Sequence, residues 1–307
     1  ERVTVLGSEA LARGEVALCV LAGGMATRMG GVVKALVEAL PGRTFLDMRL
    51  AENDRLRRTA GGKPTPLWLM TSEATNDKIR QALGDRLDGE SCATFEQFVS
   101  LRLTPEGTLF FDQDGEPSVY ATGHGDLPDA LKKSGLLRRF LDRGGRYVWI
   151  ANLDNLGATV DPAILGWHIE QNAKVTVEVV DKVGSDRGGG PVRWNDRVVV
   201  AEEFRLPAGF DAKTVPVFST NTFLVSAEAL EGLQMNWTYV EVDKKIGDQN
   251  AVQFERIVNE ITTAIEPRLL RVPREGVESR FLPVKDTAEL ERRRPEIEAI
   301  AKARGFF

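Results

Sequence analysis

Short apolar runs, each closed by a turn signal, recur through the first half of the chain. Val16–Leu21 is uninterrupted and is followed by Gly23 and Gly24, while residues 66–70 and 147–151 form two further runs. Runs of this length between turn residues are typical of strands that are buried on both faces of a sheet. The pattern therefore predicts three central strands.

Segments with helical character lie between and after these runs. Asp161 and Pro162 are the residue types that favour an N-cap and a first helical position, so a helix is also expected to begin there. Strands that alternate with helices favour an α/β fold with a mostly parallel sheet and helices on both faces. Helices are predicted over residues 33–40, 75–83, 127–142, 251–265 and 287–303.

The second half of the chain carries stronger hairpin signals. Residues 174–180 alternate as a strand does, and residues 194–197 predict a hairpin turn into a strand at 198–200. Further strands are predicted at 215–225 and near 269–270. Because hairpins join antiparallel strands, we expect a mixed sheet.

Composition narrows the class of protein. The chain has 307 residues and a net charge of −5, from 45 acidic and 40 basic side chains. A protein that binds nucleic acid through its phosphates is usually basic or has a basic face, so no nucleic-acid partner is expected. No apolar stretch is long enough to span a membrane and no signal peptide is visible, so the sequence predicts a cytoplasmic enzyme without a membrane partner.

Glycines and a carboxylate follow two of the predicted strands. Gly23 and Gly24 let the backbone approach a ligand closely, and successive N–H groups can bind phosphate, although a plain strand-to-helix turn explains them equally well. Asp154 follows the run at 147–151 and is either a loop cap or a ligand of Mg²⁺, which is commonly bound by one or two carboxylates and substrate phosphates. Open α/β sheets bind ligands at the carboxyl ends of their strands, so a nucleotide site is predicted there.

Three further side chains are candidate site residues. His124 lies between Gly123 and Gly125, which indicates a bend that brings the ring close to another group, although a structural loop histidine is an equal alternative. Lys34 follows the glycine turn at a distance from which its ammonium could reach a phosphate, yet a lone lysine is more often solvated. Lys285 ends an apolar segment that could direct its ammonium into a cleft.

Taken in order, these segments resemble those of the UTP–glucose-1-phosphate uridylyltransferase, or UDP-glucose pyrophosphorylase, family. The resemblance covers most of the chain, from about Val16 to about Leu290. Two segments are near-verbatim matches: GHGD at residues 123–126 and NLDNLGA at 152–158. Other segments are similar: GGMATRMG at 23–30, LMTS at 69–72, FEQ at 95–97, GGG at 188–190, AEE at 201–203, FSTN at 218–221 and SRFLPVK at 279–285.

The resemblance implies a Rossmann-like, GT-A-type nucleotidyltransferase core with a mixed, mostly parallel sheet flanked by helices. Residues 1–266 would form the catalytic core, and residues 267–307 would form a short C-terminal extension that carries the Lys285 segment and packs on the core. The implied reaction joins UTP and glucose 1-phosphate into UDP-glucose and pyrophosphate, with Mg²⁺ as cofactor. The sugar phosphate would attack the α-phosphorus of UTP in line.

The resemblance also implies roles for individual residues. Asp154 would bind Mg²⁺. The catalytic residues that face the phosphates would be Lys34, Lys285 and His124. The uracil would be bound by Gly23, Gly24 and Gln97, near Met70 and Gly123. The sugar would be bound by Asn152, Gly189, Glu202 and Asn221.

Three departures from the family pattern keep other functions open. Ala26 stands where the family loop has glycine, no proline precedes Lys34, and Ser219 replaces an asparagine. One alternative is a uridylyltransferase for another sugar 1-phosphate such as N-acetylglucosamine 1-phosphate, although the GHGD segment favours glucose. The others are a nucleotide-sugar-binding protein without turnover and a metal-dependent glycosyltransferase, which would leave the charge of Lys285 without a function. The oligomeric state is not fixed by the sequence.

Overall fold

The computed structural model describes residues 1–59, 61, 63–184 and 186–307. Its main feature is a central sheet of seven strands. In chain order these are β1 (Val16–Leu21), β2 (Leu67–Thr71), β3 (Cys92–Glu96), β4 (Tyr147–Asn152), β5 (Val175–Asp181), β6 (Val217–Ser226) and β7 (Arg268–Arg271). Their order across the sheet is β7-β5-β6-β4-β1-β2-β3.

The sheet is mixed, which confirms the sequence prediction. β1 pairs in parallel with β2 and β4, β2 with β3, and β5 with β7. β6 runs antiparallel to both of its neighbours, β4 and β5. Because β1, β2, β3 and β4 point the same way, the residues that follow them meet at one edge of the sheet.

Helices cover both faces of this sheet, and alternate side chains of β1 enter different cores. Leu18 belongs to the core that contains α1, α2 and α9, and Cys19 to the core that contains α4 and α5. A strand buried on both faces has no polar alternation, which explains the continuous apolar run. The helices are α1 (Arg2–Ala12), α2 (Phe45–Thr59), α3 (Asn76–Leu83), α4 (Leu127–Lys133), α5 (Leu136–Asp142), α6 (Pro162–Glu170), α7 (Ala227–Glu231), α8 (Ile261–Ala264) and α9 (Thr287–Ala303).

Shorter strands pair outside the central sheet. The hairpin predicted at 194–197 is confirmed, and its turn residues Asn195 and Asp196 adopt φ of 46° and 62°. Positive φ at both central residues matches the twist of a two-residue hairpin. The pairs are Met25–Ala26 with Val32–Val33, Glu38–Leu40 with Arg43–Thr44, Val99–Leu101 with Val119–Ala121, Gly190–Trp194 with Arg197–Ala201, and Val240–Ile246 with Gln249–Glu255.

Two predicted helices are wrong. Residues 33–40 form a single 3₁₀ turn, Lys34–Leu36, between short strands. Residues 251–265 begin as the strand Gln249–Glu255, and their α-helix is confined to Ile261–Ala264. In short segments, apolar residues at three- and four-residue steps fit a strand as well as a helix. Pairing with another strand decides between the two, and the spacing does not reveal that pairing.

Other predicted helices are confirmed or divided. α3 and α9 lie where the sequence predicts them, and α6 begins after Asp161, whose carboxylate accepts hydrogen bonds from the backbone of Ala163 and Ile164. The helix predicted over 127–142 is divided into α4 and α5, because Gly135 between them adopts φ of 75°. A left-handed residue ends a helix.

The C-terminal residues contribute to both the sheet and the core. β7 pairs with β5 at one edge of the sheet, and buried side chains of α9 enter the core that also contains α2. The division of the chain at residue 266 stays a prediction. In the described part of the chain, no helix is long and apolar enough to cross a membrane.

Candidate active site

A cavity of about 650 Å³ lies at the edge where the parallel strands end. Leu21 at the end of β1 and Asn152 at the end of β4 lie in its wall, as does Ser72, which follows β2. The structure thus brings together residues that are far apart in the sequence. The predicted site residues that line this cavity are Gly23, Gly24, Lys34, Gln97, Gly123, His124, Asn152 and Asp154.

The glycine turn after β1 makes room for a side chain and for a ligand. A Cβ atom at Gly23 would lie 3.0 Å from Nε2 of Gln97, and the carbonyl of Gly23 accepts a hydrogen bond from Oγ of Ser72 at 2.9 Å. A Cβ atom at Gly24 would have nothing within 4 Å. A ligand can therefore approach the backbone of Gly24, with the amide of Gln97 beside it.

Met70 does not reach this cavity. Its side chain is fully buried among the apolar residues of the core that includes Trp68. Its carbonyl accepts a hydrogen bond from the backbone N–H of Ala22 at 2.8 Å, which joins β2 to the start of the glycine turn. The geometry gives no support to the predicted contact between this side chain and uracil.

Lys34 and Asp154 contact each other in the cavity. Nζ of Lys34 donates to Oδ2 of Asp154 at 2.6 Å, and the two side chains are 22% and 15% exposed. The backbone N–H of Val284 donates to the same oxygen at 3.3 Å. The 3₁₀ turn at Lys34–Leu36 thus delivers the ammonium to the site, although no proline precedes it.

A buried arginine fixes the loop that follows β4. The guanidinium of Arg49 is fully buried and donates to the carbonyl oxygens of Asn152 and Asn155 at 2.6 and 2.7 Å. It also pairs with the buried carboxylate of Glu52 at 2.7 Å. Removing one partner of such a pair leaves an uncompensated buried charge, so the loop depends on both.

The C-terminal segment 279–285 packs against the same loop. Nδ2 of Asn155 donates to the carbonyl of Arg280 at 3.0 Å, and Oδ1 of Asn155 accepts from the backbone N–H of Leu282 at 2.8 Å. A Cβ atom at Gly157 would lie 2.8 Å from the carbonyl oxygen of Ser279. The NLDNLGA and SRFLPVK segments are therefore direct neighbours.

Lys285 lies at the start of α9, beside the cavity. Its backbone N–H donates to Oε2 of Glu289 at 2.8 Å, and its side chain is exposed. The preceding residue, Val284, contacts Asp154. The structure therefore brings the backbone at Lys285 next to the site, while its ammonium is not among the groups that line the cavity.

His124 presents a neutral ring to the cavity. Its Nδ1 accepts a hydrogen bond from the backbone N–H of Val258 at 3.0 Å, which assigns the ring proton to Nε2. Burial lowers the pKa of His124 to about 4, against a smaller opposing effect of Glu255. At neutral pH the ring is therefore uncharged, and its Nε2–H is available as a donor.

The residues around His124 support its position. A Cβ atom at Gly125 would lie 2.5 Å from backbone atoms of residues 256–257, so only glycine allows this approach. Asp126 is fully buried, and its carboxylate pairs with the guanidinium of Arg256 at 2.7 Å. The GHGD segment therefore packs against residues 256–258, which follow the strand Gln249–Glu255.

Asn152, at the end of β4, contacts Asn221 in the middle of β6. Nδ2 of Asn221 donates to Oδ1 of Asn152 at 2.9 Å. Asn221 adopts φ of 60° where the register between β5 and β6 shifts, and its buried Oδ1 has no partner among the described residues. Both features are typical of a ligand-binding position.

Gly189 and Glu202 form a second polar group with Asn259. Nδ2 of Asn259 donates to Oε1 of Glu202 at 2.7 Å, and a Cβ atom at Gly189 would lie 2.9 Å from that oxygen. Burial raises the pKa of Glu202, against the opposing hydrogen bond from Asn259. Glu202 lines a separate cavity of about 530 Å³, so the structure does not bring these predicted sugar ligands to the main cavity.

Sequence reasoning missed one wall of the main cavity. Lys244, Lys245 and Glu255 line it, together with Arg102, and the first three belong to the hairpin formed by Val240–Ile246 and Gln249–Glu255. Burial lowers the pKa of Arg102. A Gly-Asp pair at 247–248 separates the two strands of this hairpin, and such a pair between β-type runs is a signal that could have found it.

The carboxylate of Asp154 suits a magnesium ion whose other ligands would come from a substrate and from water. Among the residues that the structure describes, no group of three or more His, Cys, Asp or Glu side chains could bind a metal. Mg²⁺ usually keeps several waters and is bound by one or two carboxylates with substrate phosphates. A single carboxylate beside a cavity of about 650 Å³ therefore fits Mg²⁺ that a phosphate ligand would help to bind.

Comparison with known proteins agrees with the resemblance in the sequence. The model of the family described as UTP–glucose-1-phosphate uridylyltransferase matches residues 7–294. A UTP–glucose-1-phosphate uridylyltransferase from Hordeum vulgare is 31% identical over 286 residues, which cover 88% of this chain and 59% of that protein. One named UTP–glucose-1-phosphate uridylyltransferase 2, from Dictyostelium discoideum, is 29% identical and is covered over 57% of its length. The chain therefore spans less than two thirds of these relatives.

Solved structures share the fold. A UDP-glucose phosphorylase from Trypanosoma brucei superposes with a TM-score of 0.79 at 25% identity, over 93% of this chain and 66% of that one. A structure described as a UDP-N-acetylglucosamine pyrophosphorylase from Entamoeba histolytica has a TM-score of 0.81 at 19% identity, over 94% and 80% of the two chains. The predicted α/β nucleotidyltransferase-type fold is confirmed.

Proposed function

The chain belongs to the UTP–glucose-1-phosphate uridylyltransferase family, and we propose that it is a cytoplasmic enzyme that makes UDP-glucose and pyrophosphate from UTP and glucose 1-phosphate. The contact between Lys34 and Asp154 carries the proposal, because it brings a cation and the carboxylate that would bind Mg²⁺ together at the glycine turn. Phosphoryl-type transfer depends mainly on such positioning and charge stabilisation.

The uracil end of UTP would lie on the glycine turn. The exposed backbone of Gly24 and the amide of Gln97 can offer hydrogen bonds to the base, and Gly23 leaves room for that amide. A base bound there directs the phosphates along the cavity toward Lys34 and Asp154. Asp154 is the residue that would bind Mg²⁺, and the bound ion would supply charge that offsets the phosphates.

The chain's own donors would stabilise the transfer. An oxygen of the sugar phosphate forms a bond to the α-phosphorus of UTP, the bond to the bridging oxygen breaks, and pyrophosphate leaves. A phosphate monoester is already a nucleophile, so no side chain has to remove a proton. Lys34 and Lys285 would interact with the phosphates as charge develops, and the Nε2–H of His124 would donate as a neutral group.

The sugar would be bound near the end of β4 and the adjoining middle part of β6. Asn221 has a buried acceptor that no other described residue contacts by a hydrogen bond, and its amide nitrogen donates to Asn152 in the cavity wall. A hexose hydroxyl is a donor of the kind that this acceptor lacks. Gly189 and Glu202 would join this group if the segments that carry them move toward the main cavity when the sugar binds.

Product analysis with matched sugars tests the proposal. UTP and Mg²⁺ are incubated with glucose 1-phosphate or N-acetylglucosamine 1-phosphate, and the nucleotide sugar and pyrophosphate are quantified. We expect equal amounts of the two products and a higher kcat/KM for glucose 1-phosphate. Tight UDP-glucose binding without turnover on any sugar 1-phosphate would contradict the proposal. Transfer of glucose from UDP-glucose to an acceptor, with release of free UDP, would contradict it as well.

A further inference from the structure

The amide of Asn155 joins the two segments that carry the proposed charged groups. It donates to the carbonyl of Arg280 at 3.0 Å and accepts from the backbone N–H of Leu282 at 2.8 Å. We propose that Asn155 is a positioning residue that fixes Asp154 and Lys285 relative to each other, an inference that rests on the proposed function.

The chemistry of the side chain suits this position. The site needs a donor and an acceptor at the end of a short side chain, and the amide of Asn155 supplies both. Asn155 is 1% exposed, so water cannot replace its hydrogen bonds without rearrangement. An aspartate of the same shape would keep the acceptor for Leu282, lose the donor and place a carboxylate against the carbonyl of Arg280.

The path of the chain after Leu282 leads directly to the proposed catalytic groups. Pro283 restricts the next backbone step, since its ring fixes φ. The N–H of Val284 then donates to Oδ2 of Asp154 at 3.3 Å, and the N–H of Lys285 donates to Glu289 in α9. A shift of Leu282 would therefore move both the contact on Asp154 and the origin of the Lys285 side chain.

Other contacts between the two segments lie further from the charged groups. Nη1 of Arg304 donates to Oγ1 of Thr159 at 3.1 Å, and its Nη2 donates to the carbonyl of Ser279 at 2.6 Å. Thr159 is 4% exposed and lies on the same loop as Asn155. It is therefore a matched position at which a buried hydrogen bond can be lost without a direct effect on Asp154.

Hydrogen exchange tests the proposal without reference to activity. Asn155→Asp and Asn155→Ala are compared with the control Thr159→Val, and amide exchange of Leu282 and Val284 is followed by NMR or mass spectrometry. We expect exchange of both amides to be at least tenfold faster in Asn155→Ala. In Asn155→Asp, which keeps the acceptor for Leu282, we expect at least tenfold faster exchange of Val284, and exchange in the control should be near wild type. The volume-conserving Asn155→Asp provides the measurement if Asn155→Ala does not fold. Unchanged exchange of Val284 in a folded Asn155 variant would overturn the proposal.

Kinetics separates positioning from general stability. Because misplacement of a reacting group by about 1 Å can cost about a hundredfold in rate, we expect kcat of the Asn155 variants to fall at least tenfold. KM for UTP should change less than threefold in these variants. Thr159→Val should keep kcat within twofold of wild type, even if its melting temperature falls as much as that of the Asn155 variants. Equal loss of kcat in the control would overturn the proposal. A wild-type protein without transfer activity would contradict the proposed function alone, and the exchange result would still decide on Asn155.

Discussion

The ammonium of Lys34 lies 2.6 Å from Oδ2 of Asp154, although 120 residues separate the two in the chain. One is the proposed phosphate-binding cation and the other the proposed ligand of Mg²⁺. In the structure the two charges neutralise each other. Binding of a nucleotide with its metal would break this ion pair. The ammonium of Lys34 would then contact phosphate, and the carboxylate of Asp154 would bind the metal ion.

Removal of the ammonium should therefore strengthen binding of a metal ion alone. In Lys34→Met the carboxylate of Asp154 loses its partner at a partly exposed site, where a charge contact is worth on the order of 1 kcal/mol or more. We expect affinity for Mn²⁺ without nucleotide to rise several-fold, as measured by electron paramagnetic resonance titration. Lys245→Met, at another lysine of the cavity wall, is the control and should not change it. Unchanged or weaker Mn²⁺ binding in Lys34→Met would contradict the pairing.

Lys285→Ala should impair turnover while the fold survives. The side chain is exposed, so its removal should change the free energy of unfolding by no more than about 0.5 kcal/mol. Loss of a charge that meets the phosphates should lower kcat roughly a hundredfold, by analogy with lost oxyanion donors. Steady-state kinetics and a thermal melt measure both quantities, with the exposed Lys302→Ala of α9 as control. A near-normal kcat would show that the segment is structural.

Two glycines of the site should respond differently to the same substitution. Gly125→Ala places a Cβ atom 2.5 Å from backbone atoms that cannot easily move, so we expect a loss of roughly 1–3 kcal/mol in the free energy of unfolding. Gly24→Ala meets nothing within 4 Å and should keep stability within about 0.5 kcal/mol but weaken UTP binding. Denaturant melts and UTP calorimetry test the pair. Equal stability of the two variants would contradict the packing described for Gly125.

The free energy of unfolding should decrease as the pH is lowered from about 6.5 toward 4, because two histidines are buried as neutral rings. Burial lowers the pKa of His124 and of His168 from 6.5 to about 4, so the unfolded chain binds more protons between these values. The contribution of the neutral rings is complete above about pH 6.5 and is lost as pH falls toward 4. Denaturant melts at pH 7, 6 and 5 should show this decline, and His168→Gln should make it shallower. Identical slopes for wild type and variant would refute the assignment.

The sequence predicted the elements whose signals are local. β1 and β4 are buried on both faces, so their apolar runs are continuous, and α6 has a capping aspartate, Asp161, whose role requires no distant partner. Because parallel strands end at one edge of a sheet, the sequence also predicted that Gly24 and Asp154 lie at one site. These predictions depend on short-range chemistry and on a general rule of α/β sheets.

Features that depend on long-range pairing could not be predicted in the same way. The strand Gln249–Glu255 leads into a segment whose apolar residues recur at helical steps from Phe254 to Ile265, and the pairing of the strand with Val240–Ile246 decides its structure. Arg49 and Arg280 are fully or almost fully buried against carboxylates and carbonyl oxygens of distant segments. A single sequence does not distinguish such arginines from solvated ones, because their partners are identified only in the folded chain.

Isotope transfer from labelled glucose 1-phosphate tests the central claim most directly. The three non-bridging phosphate oxygens are labelled with ¹⁸O, and the products formed with UTP and Mg²⁺ are analysed by mass spectrometry. In-line attack by a phosphate oxygen on the α-phosphorus predicts UDP-glucose that retains all three labels and pyrophosphate that carries none. Absence of UDP-glucose, or label in the pyrophosphate, would contradict uridylyl transfer by this protein.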